Sequence, residues 1–444
     1  APAVAATGRI FTVAGAGDFA FPMRTIAPPV GDGGPAALAR ILYPTAVAAL
    51  PDGGYLIADA EGERVRRVTA NGVISTVAGV GRGGFTGDGG PAAAARLDWP
   101  VGVAGLPDGA VAISDQRNSR IRLVEPDGTI RTLAQVTAPD GIAAAADGGV
   151  LVAQDFENRV VHVDRAVVVT VVAGTGARGF AGDGGPATAA VLNRPVGVGA
   201  AADGGFLIAD GSSRVRHVAP DGIITTVAGT GSGTASGDGG AATAAGVPRP
   251  AAVAGTSDGG FLIASLSQVR RVGADGVIRT VAGVGAGNFA GDANAAADAH
   301  LWLPRGVAQL AGGGILVADT NSGRVRFIDR ADPGAAVPGA PRLMGASFVR
   351  GVQKGEAALM TRVRVACPPR QVAVRFGLAR RATVSLVVTL AGRTVARPGA
   401  RLGAGVHTLR FRVDRTGEHL VRMTAAEGGG AAHDQLQLSV NPCG

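Results

Sequence analysis

The sequence is poor in lysine, cysteine, aromatic residues and long apolar runs. Among its 42 basic side chains Lys354 is the only lysine, and Trp and Tyr occur twice each. A membrane-spanning helix needs roughly 18–20 consecutive apolar residues, and no run approaches that length, so we predict no transmembrane segment. Because near-exclusive use of arginine is typical of GC-rich bacterial genomes, arginine content alone does not indicate a function.

Only two cysteines occur, Cys367 and Cys443, both in the last quarter of the chain. An even pair without a CxxC motif predicts one disulfide, worth about 4 kcal/mol by loop entropy, and hence an oxidising setting. Two unpaired cytosolic thiols are the alternative. The chain begins at Ala1 without Met, as after removal of a secretion signal, although a shortened chain would begin in the same way. We therefore expect a secreted or cell-surface protein.

One pattern of residues recurs six times along the chain. Each copy has a Gly-Gly turn, an apolar run that ends in Asp or a substitute, an Arg-Val-Arg strand, an Asp-Gly or Asn-Gly turn, and Thr-Val-Ala-Gly. In the first copy this predicts strands over residues 45–50, 55–59, 64–69 and 74–79. Four short strands joined by tight turns form one blade of a β-propeller.

The sixth copy stops after its third strand, and its missing fourth strand lies at the start of the chain. Residues 9–15 end in the same Thr-Val-Ala-Gly as residues 76–79. An N-terminal strand that completes the last blade closes the ring and hides its edges. The sequence therefore predicts an all-β fold: a six-bladed β-propeller over residues 1–332, closed by its N-terminal strand.

These motifs resemble a known repeat family. The pattern Ile-Ala-Asp-x-x-x-x-Arg-Val-Arg, followed by Gly-x-Ile-x-Thr-Val-Ala-Gly-x-Gly, resembles the NHL repeat. The insertion Gly-Phe-x-Gly-Asp-Gly-Gly-Pro-Ala resembles the bacterial and teneurin-type subset. The resemblance covers about residues 8–330 and implies the propeller fold, whereas an activity has to be argued from a site. Six-bladed relatives include gluconolactonase-type hydrolases, with an acidic and amide-lined metal site at the channel, and streptogramin lyase, which uses His and a metal.

Two sets of aspartates are predicted to share one loop-rich face, because each second strand returns to the end where the first strand begins. The first set ends the second strands: Asp59, Asp115, Asp210 and Asp319, with Gln154 and Ser265 in blades 3 and 5. The second set lies in the insertions between blades: Asp32, Asp88, Asp183, Asp238 and Asp292. We predict that this face binds a ligand. The alternative is that both sets cap backbone amides or pair with nearby arginines.

The insertions contain a short helical run, residues 91–97 in the second copy, with Pro at its first position. Amide groups at its start could receive an anion, but no Gly-Lys-Ser/Thr follows, so a phosphate loop is excluded.

No catalytic group stands out from the repeat. His162 and His217 occupy one strand position in different blades, so they diverge and do not form a zinc site. No Ser elbow or Cys/His pair is present, and only Asn193, before Arg194, lies outside the ordinary turns. We predict no catalytic residue and no cofactor, with calcium at the carboxylate ring as the open possibility. A metal-dependent lactonase or lyase with a site at the channel is the alternative function.

The last part of the chain differs in pattern and charge. A proline-rich linker, residues 333–341, precedes residues 342–444, where apolar and polar residues alternate as in a small β-sandwich that resembles immunoglobulin-like modules. From Ala340 onward there are 16 basic and 5 acidic residues, whereas the rest has 26 and 29, so the net charge of +8 comes from this part. It could bind an anionic cell-envelope polymer, or its arginines are simply solvated.

Nucleic acid is not an expected partner, because aromatic stacking residues are scarce in the basic part. Together these features predict a secreted, non-enzymatic, monomeric interaction protein. The propeller face would contact a protein or an envelope polymer, and the basic domain would be the anchor.

Overall fold

The fold was described from a computed structural model. It describes residues 8–17, 31–285, 289–292 and 295–329, and the backbone of nine strands beyond residue 345. The chain divides into two compact units, Ala1–Pro341 and Arg342–Gly444. None of the helices in the described part has the length and apolar character needed to cross a membrane.

The first unit is a six-bladed β-propeller, which confirms the prediction from the repeats. Each blade is a four-stranded antiparallel sheet. Strand β1 covers Ile10–Ala14. Blade 1 contains β2 (Pro44–Ala49), β3 (Tyr55–Asp59), β4 (Arg64–Val68) and β5 (Ile74–Ala78). Blade 2 contains β6 (Pro100–Gly105), β7 (Val111–Asp115), β8 (Arg120–Val124) and β9 (Ile130–Gln135). Blade 3 contains β10 (Pro139–Ala144), β11 (Val150–Gln154), β12 (Arg159–Val163) and β13 (Val169–Ala173).

The remaining blades follow the same order. Blade 4 contains β14 (Gly197–Ala200), β15 (Phe206–Asp210), β16 (Arg214–Val218) and β17 (Ile224–Ala228). Blade 5 contains β18 (Pro250–Gly255), β19 (Phe261–Ser265), β20 (Gln268–Val272) and β21 (Ile278–Ala282). Blade 6 contains β22 (Pro304–Gln309), β23 (Ile315–Asp319) and β24 (Arg324–Ile328).

Strand β1 is the outer strand of blade 6, as predicted. It pairs antiparallel with β24, with Ile10 opposite Ile328 and Phe11 opposite Phe327. The Asp329 N–H also donates to the Arg9 carbonyl at 2.9 Å. The ring is therefore closed by hydrogen bonds between the two ends of the propeller, and no blade is left one strand short.

The hydrophobic core lies between the blades. Six clusters of buried residues occur in the described part, and each joins two neighbouring blades. Between blades 1 and 2, Leu56 and Val65 pack with Ile113 and Ile130, and Leu97 from the connection fills the space. Full burial of one such side chain contributes about 1.5–3 kcal/mol, so the blades stabilise one another rather than folding as separate sheets.

The segments inserted between blades cover the outer strand of the next blade, and we call them covering loops. Their cores are residues 31–39, 87–95, 182–190, 237–245 and 291–299, the last without residues 293 and 294. In blade 2 the Ile130 N–H donates to the Gly90 carbonyl at 2.9 Å, and the Gly89 N–H donates to the Ile130 carbonyl at 2.8 Å. The loops therefore lie along the rim, between outer strands, rather than on the predicted loop-rich face.

The predicted helical run in the insertions is only a three-residue 3-10 turn. In blade 2 it covers Ala92–Ala94, with Pro91 just before it. The Ala92 N–H, predicted to be available for an anion, donates to the Gly128 carbonyl at 2.9 Å. The equivalent turns are Ala36–Leu38, Ala187–Ala189, Ala242–Ala244 and Ala296–Asp298, and two further 3-10 turns follow second strands at Gln116–Asn118 and Thr320–Ser322. Anion binding at these turns is thus wrong, because the amides are already bonded.

A buried arginine in the third strand holds each covering loop to its blade. These arginines are at most 1% exposed: Arg66, Arg122, Arg216, Arg270 and Arg326. Each pairs with the loop aspartate: Asp32, Asp88, Asp183, Asp238 and Asp292, respectively. In blade 2 the Arg122 Nη2 lies 2.7 Å from Asp88 Oδ1, and Thr132 Oγ1 of the outer strand donates to Asp88 Oδ2 at 2.7 Å.

Blade 3 lacks both the covering loop and the buried arginine. Residues 136–138 alone join β9 to β10, so blade 3 has no covering loop. The position of the buried arginine is taken by Val161, which is 1% exposed. The arginine is therefore present where a loop carboxylate has to be held, and absent where no loop exists.

A phenylalanine of the covering loop stacks on two strand arginines. The Phe180 ring centroid lies 3.8 Å from Arg214 Cζ and 4.8 Å from Arg216 Cζ. Phe85 and Phe289 make the same contacts in blades 2 and 6. In blade 5 the loop has Ala235 at this position and the strand has Gln268 in place of the outer arginine. In blade 5 the aromatic ring and the outer guanidinium are therefore both absent, whereas blade 1 keeps Arg64 although its loop has Pro29 at this position.

The second unit contains two antiparallel sheets. Strands β25, β33, β32, β28, β29 and β30 form one sheet, and β26, β27 and β31 form the other. Their bounds are Ala346–Ser347 (β25), Met360–Ala366 (β26), Gln371–Leu378 (β27), Ala382–Leu390 (β28), Arg393–Ala396 (β29), Gly399–Leu402 (β30), Gly405–Arg412 (β31), His419–Ala426 (β32) and Asp434–Val440 (β33). The linker 333–341 and the predicted disulfide between Cys367 and Cys443 lie outside the described residues, and the immunoglobulin-like sandwich stays a prediction.

We expect Arg122→Ala to lower the propeller's free energy of unfolding by about 3–5 kcal/mol, because it removes the counter-charge of the fully buried Asp115. Trp99 and Trp302 both lie in the propeller, so urea unfolding followed by tryptophan fluorescence reports on this unit.

The matched control is Arg131→Ala, which breaks a partly exposed pair with Glu125 and should change stability by less than about 1 kcal/mol. Equal losses in the two variants would contradict a holding role for the buried arginine.

Candidate functional site

The aspartates that end the second strands are buried caps for the start of the first strands. Asp59 Oδ1 accepts hydrogen bonds from the N–H groups of Leu42 and Tyr43 at 2.9 and 3.0 Å. The N–H groups of Asp98, Asn193 and Trp302 donate in the same way to Asp115, Asp210 and Asp319. All four aspartates are at most 2% exposed, and burial raises the pKa of each while the backbone N–H groups oppose the rise.

The two substitutions in this set follow from the same capping role. In blade 5 the residue at the donor position is Pro248, which has no N–H to cap, and Ser265 replaces the aspartate. In blade 3 the side chain is the donor and the backbone is the acceptor, because Gln154 Nε2 donates to the Thr137 carbonyl at 2.9 Å. The pattern is set by the backbone at each blade and does not require a ligand.

The loop aspartates are linked to this first set through the buried arginines of the third strands: Arg122 pairs with both Asp88 and Asp115, and Arg326 pairs with both Asp292 and Asp319. The loop side chains are 27–48% exposed and lie against the third and fourth strands at the rim. Burial raises the pKa of Asp88, but hydrogen bonds from Thr132 and Arg122 outweigh it and hold that pKa below its ordinary value. In blades 2 and 6 one guanidinium thus bridges an aspartate of each predicted set, with the loop aspartate partly exposed and the strand aspartate buried. Their assignment as ligand-binding residues stays a prediction.

The first strands of the six blades enclose a central channel. They contact one another around the axis and line a cavity of about 940 Å³. Most lining residues are Gly, Ala or Val. At Gly141 a Cβ atom would lie 2.7 Å from the Gly197 Cα of the next blade, so close approach of first strands requires glycine there. The wall is therefore formed mainly by small side chains.

Charged side chains line the channel at one end, where the first strands begin. We call this end the mouth; it lies on the same face as the second-to-third turns, because Pro44 pairs with Asp59. The residue after each strand proline lines the cavity, and we call these six residues the mouth ring: Thr45, Val101, Asp140, Val196, Ala251 and Arg305. The two charged members belong to blades 3 and 6, which are opposite each other in a ring of six.

Asp140 is a carboxylate without a partner. Among the described residues, neither the Asp140 carboxylate nor the Arg305 guanidinium takes part in a side-chain hydrogen bond or an ion pair. Burial raises the pKa of Asp140 to about 7; Arg305 and Arg194 lower it, and Asp155 raises it further. Beside it, Arg194 Nε and Nη2 donate to the two oxygens of Asp155 at 2.6 and 2.8 Å. Arg194 and Asp155 therefore bond to each other, and neither side chain forms a hydrogen bond with Asp140.

The residues just before the strand prolines adopt a strained backbone. Five of them have φ between +41° and +59°: Trp99, Ala138, Arg194, Arg249 and Leu303. A residue before proline normally prefers an extended conformation. The preceding blade holds two of these residues in place, because the Trp99 N–H donates to Glu63 Oε2 at 2.6 Å and the Arg194 N–H to Asn158 Oδ1 at 3.0 Å. Strain of this kind costs about 1–3 kcal/mol per residue and is concentrated at functional sites.

Aromatic side chains gather at this end of the channel. Tyr43 and Trp99 have ring centroids 5.7 Å apart, and Arg117 lies 4.3 Å from the Trp99 ring. Burial and the nearby Asp98 raise the pKa of Glu63 to about 7, against the Trp99 N–H and Arg117. On the side of blade 3, Phe156 is 67% exposed beside Arg194. The mouth therefore combines opposite charges with apolar rings.

Sequence reasoning missed Asp140 and Arg305, although a signal was present. In the column of residues after the strand proline, four of six are small and neutral, and only these two are charged. The prediction followed residues that recur in the repeat, whereas a binding residue is one that departs from it. Asn193, singled out in the sequence, does line the mouth, where its Oδ1 accepts from Arg178 Nε at 2.9 Å.

The carboxylates at the mouth lie beside arginines, and calcium at the carboxylate ring stays a prediction. Within the described ranges, no three or more His, Cys, Asp or Glu side chains are grouped as metal ligands. Asp140 and Asp155 face the cations Arg194 and Arg305 rather than further carboxylates. His162 and His217 each pair with a separate aspartate at 3.1 Å, Asp147 and Asp203.

No protein-family profile matches the chain, and no curated protein matches it. Solved structures do match. A protein of unknown function from Bacteroides thetaiotaomicron is 17% identical, with a TM-score of 0.51 over 72% of this chain and 75% of that one. An auxiliary nutrient binding protein from Bacteroides ovatus is 14% identical, with a TM-score of 0.51 over 73% and 76%. These similarities show the propeller fold alone.

We expect Asp140→Asn to gain stability relative to the wild type as pH rises from about 4 to about 7. The unfolded chain loses this proton near pH 4 and the folded chain near pH 7, so ionisation of Asp140 destabilises the folded state across that window. Urea unfolding by tryptophan fluorescence at several pH values measures the difference.

Asp127→Asn is the control. Asp127 is fully exposed, and hydrogen bonds from Thr129 lower its pKa, so its effect should be constant above pH 4 or so. A constant difference for Asp140→Asn as well would show that Asp140 titrates normally.

Proposed function

We propose that the propeller is a non-enzymatic binding module that takes a small zwitterionic ligand at the mouth of its channel. The observation that carries this proposal is the pair of unpartnered opposite charges, Asp140 and Arg305, on opposing blades of one cavity. A ligand with an amino group and a carboxylate would neutralise both at once.

Asp140 is suited to a cationic group. Asp140 is half-buried in the wall of the cavity, and burial raises the pKa of its carboxyl group, so a positive charge that reaches it favours the ionised form. An ammonium group that donates to it would add a charge-assisted hydrogen bond and lower its pKa. The neighbouring Arg194 is already held by Asp155 and does not compete for Asp140.

Arg305 is suited to a carboxylate. It is exposed in the channel, and its planar guanidinium offers paired N–H donors that match the two oxygens of a carboxylate. The neutral members of the mouth ring between the two charges offer an apolar wall: Thr45, Val101, Val196 and Ala251. The spacing would then select the ligand by the distance between its two charges.

A binding role has further support from the neighbour described as a nutrient binding protein, which shares the fold. A metal-dependent lactonase or lyase stays the alternative function; among the described residues no group of three or more metal-ligating side chains supports it. In line with the sequence motifs, we also propose that the blades are NHL-type repeats.

The test is isothermal titration of the full chain with ω-amino acids of increasing length, from glycine through aminobutanoate to aminohexanoate. We expect one of them to bind, and Asp140→Asn or Arg305→Met to weaken it by about 10- to 100-fold, as the loss of one charged hydrogen bond implies. Affinity should also rise between about pH 6 and pH 8, because Asp140 becomes ionised.

Hexylamine and hexanoate, each with one of the two charges, are the control ligands and should bind more weakly than aminohexanoate. Arg131→Met, at a rim position, is the control variant. If no amino acid of the series binds, or if both variants bind as well as the wild type, the channel mouth is not the site.

We propose in addition that the chain is secreted and that its basic second unit anchors it to an anionic envelope polymer, on the charge of residues 340–444. The full chain should sediment with wall teichoic acid at low salt and be released at about 1 M salt, where charges are screened beyond about 3 Å. Neutral dextran is the control. Retention at high salt, or equal retention by dextran, would contradict an electrostatic anchor.

A further inference from the structure

The outer strand of blade 3 has a free edge. In the described propeller, the outer strands of the other five blades are bonded along this edge by a covering loop. Strand β13 pairs with β12 on one side and with no strand on the other. Its Val169 holds the position of Ile130, whose N–H and carbonyl both bond the covering loop of blade 2. The corresponding groups of blade 3 therefore face outward.

The side chains that correspond to Val169 in the other blades are far more buried than Val169 is. The residues that correspond to Val169 in the other blades are 0% exposed: Ile10, Ile74, Ile130, Ile224 and Ile278. Val169 itself is 44% exposed. Three further valines of the same stretch are also exposed, by 50%, 55% and 37%: Val167, Val168 and Val171. A hydrophobic edge that is open to solvent is a feature that native proteins normally avoid.

The chemistry of the edge differs from that of the covered blades. Val161 replaces the buried arginine, so an acidic segment like a covering loop would find no counter-charge here. Position 171 has Val where the other outer strands have threonine: Thr12, Thr76, Thr132, Thr226 and Thr280. Residues 166–177 contain no charged residue and no proline. The edge therefore fits an apolar, uncharged, extended strand.

We propose that the strand that covers this edge is β13 of a second copy of the chain. Two identical uncharged strands can pair antiparallel across a two-fold axis without placing like charges opposite each other. Each strand supplies the donors and acceptors that the other lacks. The described propeller exposes one such edge, so the pairing closes at two copies and does not continue into a filament. This assignment departs from the monomer expected from sequence.

The experiment is sedimentation equilibrium of the full chain over a range of concentrations, with amide hydrogen exchange of residues 166–173. We expect a dimer whose formation protects the Val169 and Val171 amides. Val171→Lys should raise the dimer dissociation constant at least about 100-fold, because it places two lysines against an apolar strand.

Two controls separate the edge from general effects. Val171→Thr introduces the residue of the other blades and should keep the dimer. Thr225→Lys adds the same charge to an exposed position of a covered outer strand and should leave the dissociation constant unchanged.

A wild-type chain that stays monomeric at every soluble concentration overturns the proposal, as does a dimer that Val171→Lys leaves intact. If the chain is monomeric and yet binds a synthetic peptide of residues 166–173, the edge accepts an extended strand, but pairing of two folded copies is wrong.

Discussion

The buried guanidinium group of the third strand is the interaction on which the rim of the propeller depends. A charge at 0–1% exposure is unfavourable unless it is paired, and the loop aspartate supplies the pair. The same aspartate binds a threonine of the outer strand in blade 2, so one side chain joins loop, third strand and fourth strand. Because each covering loop also fills the space between two blades, the ion pairs position the residues that form the inter-blade core. Polar and apolar stabilisation are therefore coupled around the ring.

The rim and the channel differ in whether their charged side chains are paired within the protein. At the rim, charge is satisfied within the protein, and the same contacts recur from blade to blade. At the mouth of the channel the repeat is broken, since Asp140 and Arg305 occupy positions where the other blades have neutral residues. The strained residues before the prolines lie at the same end. Uniform contacts thus build the scaffold, and the two charged departures from uniformity in the mouth ring lie at its axis.

Repetition explains what could be predicted from the sequence. The six blades, their strands and the closure by β1 follow from turn residues and alternating apolar positions, which are local signals. The capping role of Asp59 was open as an alternative, and only the backbone donors at Leu42 and Tyr43 resolve it. The path of the insertions was mispredicted, because their contacts are made with a strand about 40 residues ahead in sequence, such as Asp88 with Thr132. Asp140 and Arg305 were missed because the prediction followed residues that recur in the repeat, and only an alignment of the six blades places these two, 165 positions apart, in one column.

The closure of the ring also has a consequence for how the chain is made. Ile10 is synthesised more than 300 residues before its partner Ile328, which is among the last residues of the propeller. Until then, blade 6 lacks its outer strand, and the apolar segment Ile10–Ala14 has no sheet to join. Contacts across more than 300 residues form slowly, because the loop entropy has to be overcome first. The pairing of β1 with β24 can therefore form only after blade 6 has been synthesised. A chain interrupted before residue 324 contains five complete blades but cannot close the ring.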